Sequence, residues 1–194
     1  PVLFKVKSFG KDNVESIKSN WTSIKDAIIK TVDIALELGF SYENLTSKNV
    51  LLPIAYFIYK GGKYNDCKPE IRKYLVVAML KQIFGGQGDQ VISKIRDELR
   101  IGKKEKIETE QGEKEILKFY LKESTFNYSS ISSIKLPSQK SWKIEDDTLE
   151  GFIESSKGPF AFMVLSLLYP NLNFASAKYE MDHIHPDYGF GNSA

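Results

Sequence analysis

The chain carries two histidines, and both stand in one short segment, Tyr179-Glu180-Met181-Asp182-His183-Ile184-His185-Pro186-Asp187-Tyr188. Imidazole and carboxylate are the side chains that hold catalytic divalent ions, and a neutral imidazole takes up a proton near neutral pH. In an extended strand the period of two puts His183 and His185 on one face and Asp182 on the other, and Pro186 ends the strand. The same residues also read as a polar surface segment with two incidental histidines. Composition alone leaves both readings open.

Two metal-site patterns fail on position. His183, His185 and Asp187 open like the His-x-His-x-Asp-His signature of metallo-β-lactamase-like hydrolases, but Tyr188 stands where the next histidine belongs and the preceding chain reads as helical. An amidohydrolase His-x-His opens a barrel of about 250 residues, whereas this pair comes late in the chain. Asp182-His183-Ile184-x-Pro186 instead resembles the first-strand motif of HNH (ββα-metal) endonucleases. The apolar helix ending Leu167-Leu168-Tyr169-Pro170 resembles the lead-in to that motif in GmrSD-like restriction proteins. Leu45-Thr46-Ser47-Lys48-Asn49-Val50-Leu51-Leu52-Pro53-Ile54-Ala55-Tyr56-Phe57-Ile58-Tyr59-Lys60 and Ile83-Phe84-Gly85-Gly86 resemble the helical middle of the same family.

That family joins a nucleotide-hydrolysing N-terminal domain, a helical middle and a C-terminal HNH module on one or two chains. The resemblance covers roughly residues 15 to 187. It implies a DNA-targeting, phage-defence endonuclease in which Asp182 binds a divalent ion, Mg or Mn. His183 is then the general base for the water that attacks a phosphodiester. His185, in the variable position between Ile184 and Pro186, either supports the site from outside the metal's own ligands or takes no part. The asparagine or histidine ligands of the helix that follows such a strand do not occur before Ala194. By itself the polypeptide is therefore expected to hold no ion firmly and to be inactive. The implied partners are DNA, through the parent protein, and the nucleotide-hydrolysing domain. A helical scaffold or dimerisation domain without DNA contact is the alternative.

The elements that must position this segment read as helices. The 194 residues are 42% hydrophobic and 27% charged, enough for one substantial core. Their net charge of +2 neither requires nor excludes nucleic acid. The single Cys67 rules out an intrachain disulfide and fits a reducing, cytoplasmic setting. The longest apolar run, Phe160 to Tyr169, is too short for a membrane span and reads as a buried hub. The expected fold is all-α, a multi-helix domain with a short C-terminal extended segment that would begin a ββα-metal module. Residues 1–10 are expected to end a missing N-terminal domain, 11–175 to form the helical domain and 176–194 to start the HNH module.

Within the helical domain, Ile24, Ile28, Val32, Ala35 and Leu38 predict one long helix from about Asp12 to Leu38, stopped by Gly39. Thr46 and Ser47 are candidate caps for a central helix through Leu51 to Ile58 that runs to the pair Gly61 and Gly62, with Pro53 either in its first turns or kinking it. Pro69 opens a third helix through Ile83, and Asp89 a fourth through Leu99. The charged stretch 102–114 reads as a solvated turn or helix face, with a helix from Glu113 to Leu121 after it. Ser124 to Trp142 reads as a loop over the core anchored by Trp142. Gly85-Gly86-Gln87-Gly88-Asp89 is a helix stop and restart, since no lysine with serine or threonine follows to make a phosphate loop. Cys67, between Asp66 and Lys68, reads as a surface thiol. Lys25, Lys30 and Lys48, or Lys135, Lys140 and Lys143 beside Tyr128 and Trp142, are candidates for a DNA-facing surface, against a bland reading as scattered solvated lysines.

Overall fold

A computed structural model describes residues 10–109, 112–146, 150–151 and 159–169. In chain order the helices are α1 (Lys11–Ser19), α2 (Trp21–Glu37), α3 (Leu51–Tyr59), α4 (Lys68–Leu80) and α5 (Gly88–Leu99). An antiparallel hairpin of β1 (Arg100–Thr109) and β2 (Gly112–Leu121) follows, then α6 (Tyr128–Ser132) and α7 (Pro159–Leu168). Short 3₁₀ turns at Lys48–Val50, Tyr64–Cys67 and Pro137–Gln139 make connections.

The core is built around α4. Every residue from Tyr74 to Leu80 is buried, and Ile71 faces the same interior. Phe57 and Tyr74 each meet Phe126 edge to face, at 5.4 and 5.3 Å between ring centres, an arrangement that aligns positive ring edges with negative faces. The Tyr74 hydroxyl donates to the Val50 carbonyl at 3.0 Å, so its polar end is satisfied inside the core. The apolar encirclement that marks α3 as central is real in part: Pro53, Ile54, Ala55 and Phe57 are buried while Leu52 is exposed.

The long first helix is two helices. At Asn20 the side-chain amide and the Ser19 hydroxyl both donate to the Ser16 carbonyl, and this local bonding competes with helix continuation. The predicted stop at Gly39 holds: its φ of 89° is the left-handed turn that lets the Phe40 N–H reach the Ala35 carbonyl at 2.8 Å. Neither Thr46 nor Ser47 caps α3; the 3₁₀ turn enters it without a side-chain cap, and the Thr46 hydroxyl lies against the Met79 sulfur. α4 ends at Leu80, sooner than expected, because Gln82 takes a left-handed conformation.

The all-α expectation is overturned by the hairpin. Arg100 pairs with Leu121 and Thr109 with Gly112, so the expected turn at 102–114 and helix at 113–121 are two strands in continuous register. The physical reason is that both runs carry strand-forming residues, and the charges agree with the register without driving it. Lys104 and Lys106 share one face with Glu113 and Glu115, and their diagonal ion pairs are 3.1 and 2.9 Å long. On the opposite face Lys118 pairs with Glu105 at 2.8 Å. Ile101, Ile107, Ile116, Phe119 and Tyr120 are strand formers, and Gly112, the first residue of β2, takes a φ of 107° that glycine tolerates.

α7 is not a hub. Ala161 and Met163 are buried against α4, but Leu165, Leu168 and Tyr169 are exposed. The expected boundary segments 1–10 and 176–194 lie outside the described residues, apart from Gly10.

Candidate functional site

Asp182, His183 and His185 fall outside the described residues, so their geometry is not part of the site described below. Among the described residues, α7 is the last element before them in the sequence. α7 ends at Leu168, and its inward face, Ala161 and Met163, seats the helix on α4. Its last turn presents Leu168, 67% exposed, and Tyr169, 57% exposed, at the point where the chain continues toward Asp182.

The segment Ser124 to Trp142 forms a strap along the same central helix. Three rungs fix its start: the Lys63 N–H donates to the Ser124 carbonyl at 2.7 Å, the Phe126 N–H to the Cys67 sulfur at 3.2 Å, and the Tyr128 N–H to a Glu70 carboxylate oxygen at 3.1 Å. At the other end the Lys140 ammonium donates to the carbonyls of Gln82 and Ile83, both at 3.0 Å, and to that of Gly85. A cation there gives the Ile83 carbonyl a donor, adds a second to the carbonyls of Gln82 and Gly85, which already accept from the N–H groups of Gly85 and Gln87, and opposes the negative pole of α4. Trp142 is buried beneath the strap, with its ring 5.7 Å from Tyr74 and 5.9 Å from Tyr128.

These contacts correct three sequence expectations. Tyr128 and Trp142 belong to the core and offer no ring face for stacking on bases. Lys140 is held by backbone carbonyls rather than standing free, Lys143 pairs with Glu145 at 3.2 Å, and Lys135 is exposed. Lys48 lies 3.9 Å from the centre of the Tyr42 ring, while Lys25 and Lys30 are exposed on α2. Cys67 is buried, its thiol donating to the Lys63 carbonyl at 3.2 Å. Burial pushes that thiol's pKa up, with the Phe126 N–H pulling against it and the charges of Asp66 and Glu70 adding to it. It is an inert structural thiol. Of the expected helix stop and restart at Gly85 to Asp89, the restart holds, α5 beginning at Gly88, while the stop comes earlier, at Leu80.

At the foot of the hairpin a cleft is lined by Glu98, Lys122, Glu123, Asn127 and Ser130 among others. Its polar groups are already committed: Lys122 pairs with Glu98 at 3.1 Å, and Asn127 bonds to both Glu123 and the Ser130 N–H. Arg100 anchors the hairpin there, 2.8 Å from Asp97 and 3.7 Å over the Phe119 ring. Among the described residues no group of three or more His, Cys, Asp or Glu side chains converges on an ion site, and no helix is long and apolar enough to cross a membrane. No family model and no curated protein matches the chain.

Proposed function

We propose that the chain is the helical module of a DNA-targeting, metal-dependent endonuclease of the GmrSD-like type. In that role it couples a nucleotide-hydrolysing domain to an HNH nuclease and works in the reducing cytoplasm. The observation that supports this most is the seating of α7. One face of that helix is locked into the core against α4, and the chain leaves its exposed last turn toward Asp182 and His183. A helix seated on the body ahead of Asp182 in the sequence is what the resemblance to the lead-in of that motif implies.

In this reading Asp182 supplies a carboxylate oxygen to Mg or Mn, a hard ion suited to oxygen ligands. The ion's chemistry is charge neutralisation at the phosphate. An imidazole nitrogen of His183 accepts the proton of the attacking water, and it must be neutral to do so. One carboxylate is too few ligands for a firm site, so in this reading further ligands beside Asp182 complete the centre.

A salt titration of duplex binding tests the reading. Lysine contacts to phosphate release counterions, so affinity should fall steeply as salt rises. If no duplex, modified or plain, binds at low ionic strength, DNA placement is not this chain's work. The alternative, a helical scaffold without DNA contact, is favoured by a different observation, an uncovered apolar face on α2.

A further inference from the structure

α2 buries only one side. Ala27, Thr31, Ile34 and Ala35 face the body, chiefly α3, whereas Trp21, Ile28, Ile29, Val32 and Leu36 are between 42% and 54% exposed. At 3.6 residues per turn Trp21, Lys25, Ile28, Val32 and Leu36 fall within an arc of about 80°, along roughly 22 Å of helix. Monomeric proteins seldom leave a continuous apolar stripe of that kind in water. The stripe carries one charge near its middle, Lys25, and Asp33 stands on its flank. Both are exposed, and neither forms a salt bridge among the described residues.

We infer that this face pairs antiparallel with the α2 of a second copy of the chain. Charge complementarity selects that occupant. A two-fold axis midway between Ile28 and Ile29 puts Trp21 opposite Leu36 of the second copy and Ile28 opposite Ile29. The same axis brings Lys25 to the height of Asp33 of the second copy, within about one residue's rise of 1.5 Å. It also keeps the two on the same side of the seam, because antiparallel helices related by a two-fold meet like flank to like flank. A lysine inside an apolar seam is costly unless paired, and this arrangement pairs it twice, once in each direction. A parallel arrangement would set Lys25 against Lys25. The lysine thus fixes orientation and register, as polar residues do in helix pairs. The inference does not depend on the nuclease reading.

Sedimentation equilibrium on the 194-residue chain over a concentration series up to ~100 μM tests it. Self-association to a dimer is expected. Val32→Glu, at an exposed position, should weaken it at least about tenfold with the helical circular dichroism unchanged. Lys25→Asp and Asp33→Lys should each weaken it by roughly three- to tenfold, and the double exchange should restore it to within about twofold. A chain that stays monomeric throughout overturns the proposal. So does a dimer indifferent to Val32→Glu, or a double exchange no better than its parts.

Discussion

The strap from Ser124 to Trp142 and the hairpin from Arg100 to Leu121 are of nearly equal length and are held in opposite ways. The strap follows the central helix and is fastened by backbone rungs, a lysine clamp and three buried aromatic rings, Phe126, Tyr128 and Trp142. The hairpin stands in water, its strands held by their own register and by surface ion pairs. An isolated two-stranded ribbon is marginal, and exposed pairs contribute little. Burial therefore decides the stability of the body, while the hairpin is a local structure that depends on its foot at Arg100 and Leu121.

The sharpest way to break that contrast is to truncate a core ring of the strap. Phe126→Ala should cost about 3–5 kcal/mol in chemical denaturation, since two aromatic neighbours lose their contact at once. Gly62→Ala comes next. A Cβ there would overlap the Phe57 ring, which is itself locked against Phe126, so the core must shift at a cost of about 1–3 kcal/mol. Lys140→Met removes the donor shared by three carbonyls; those of Gln82 and Gly85 keep the N–H groups of Gly85 and Gln87, so a loss of about 1 kcal/mol is expected, with faster hydrogen exchange confined to the far end of the strap.

Raising the pH should have a smaller, graded effect on the same region. Burial raises the pKa of Cys67, and burial together with the Glu70 charge pushes the Tyr128 hydroxyl up to about 12. Both groups ionise first in the unfolded chain. Their contribution is whole below the thiol's unfolded pKa of roughly 8.5 and is lost as pH climbs through the folded values. The denaturant midpoint should fall across that range, and Cys67→Ala should remove its lower part.

The smallest effect belongs to the hairpin. Lys118→Glu sets like charges together with Glu105. It should speed amide exchange in the strands while the melting transition of the body stays where it is. If instead the whole protein melts with the hairpin, the contrast between the two regions is wrong.

Much of the body is legible in the sequence because helix signals are local. Gly39 stops α2, Pro69 opens α4, and the glycines at 85–88 separate α4 from α5. Trp142 announces itself as an anchor by being a large ring in a serine-rich loop. The hairpin is harder to read, since its lysines and glutamates fit helical spacing as well as strand alternation and only the cross-strand partner discriminates. The clamp by Lys140 and the burial of Cys67 rest on contacts between positions far apart in the chain, which no local pattern contains. The two faces of α2 illustrate the same point: Ile28 and Ala35 both fit a helical apolar pattern, yet one is exposed and the other buried. Of the candidate site, Asp182, His183 and His185 rest on sequence alone.

The nuclease reading is tested most directly by a nicking assay on the polypeptide encoded by the intact gene, with magnesium or manganese and a supercoiled plasmid. The account predicts metal-dependent nicks that disappear in His183→Ala and Asp182→Asn, both of which keep the native helical content. Full activity retained by His183→Ala would contradict it.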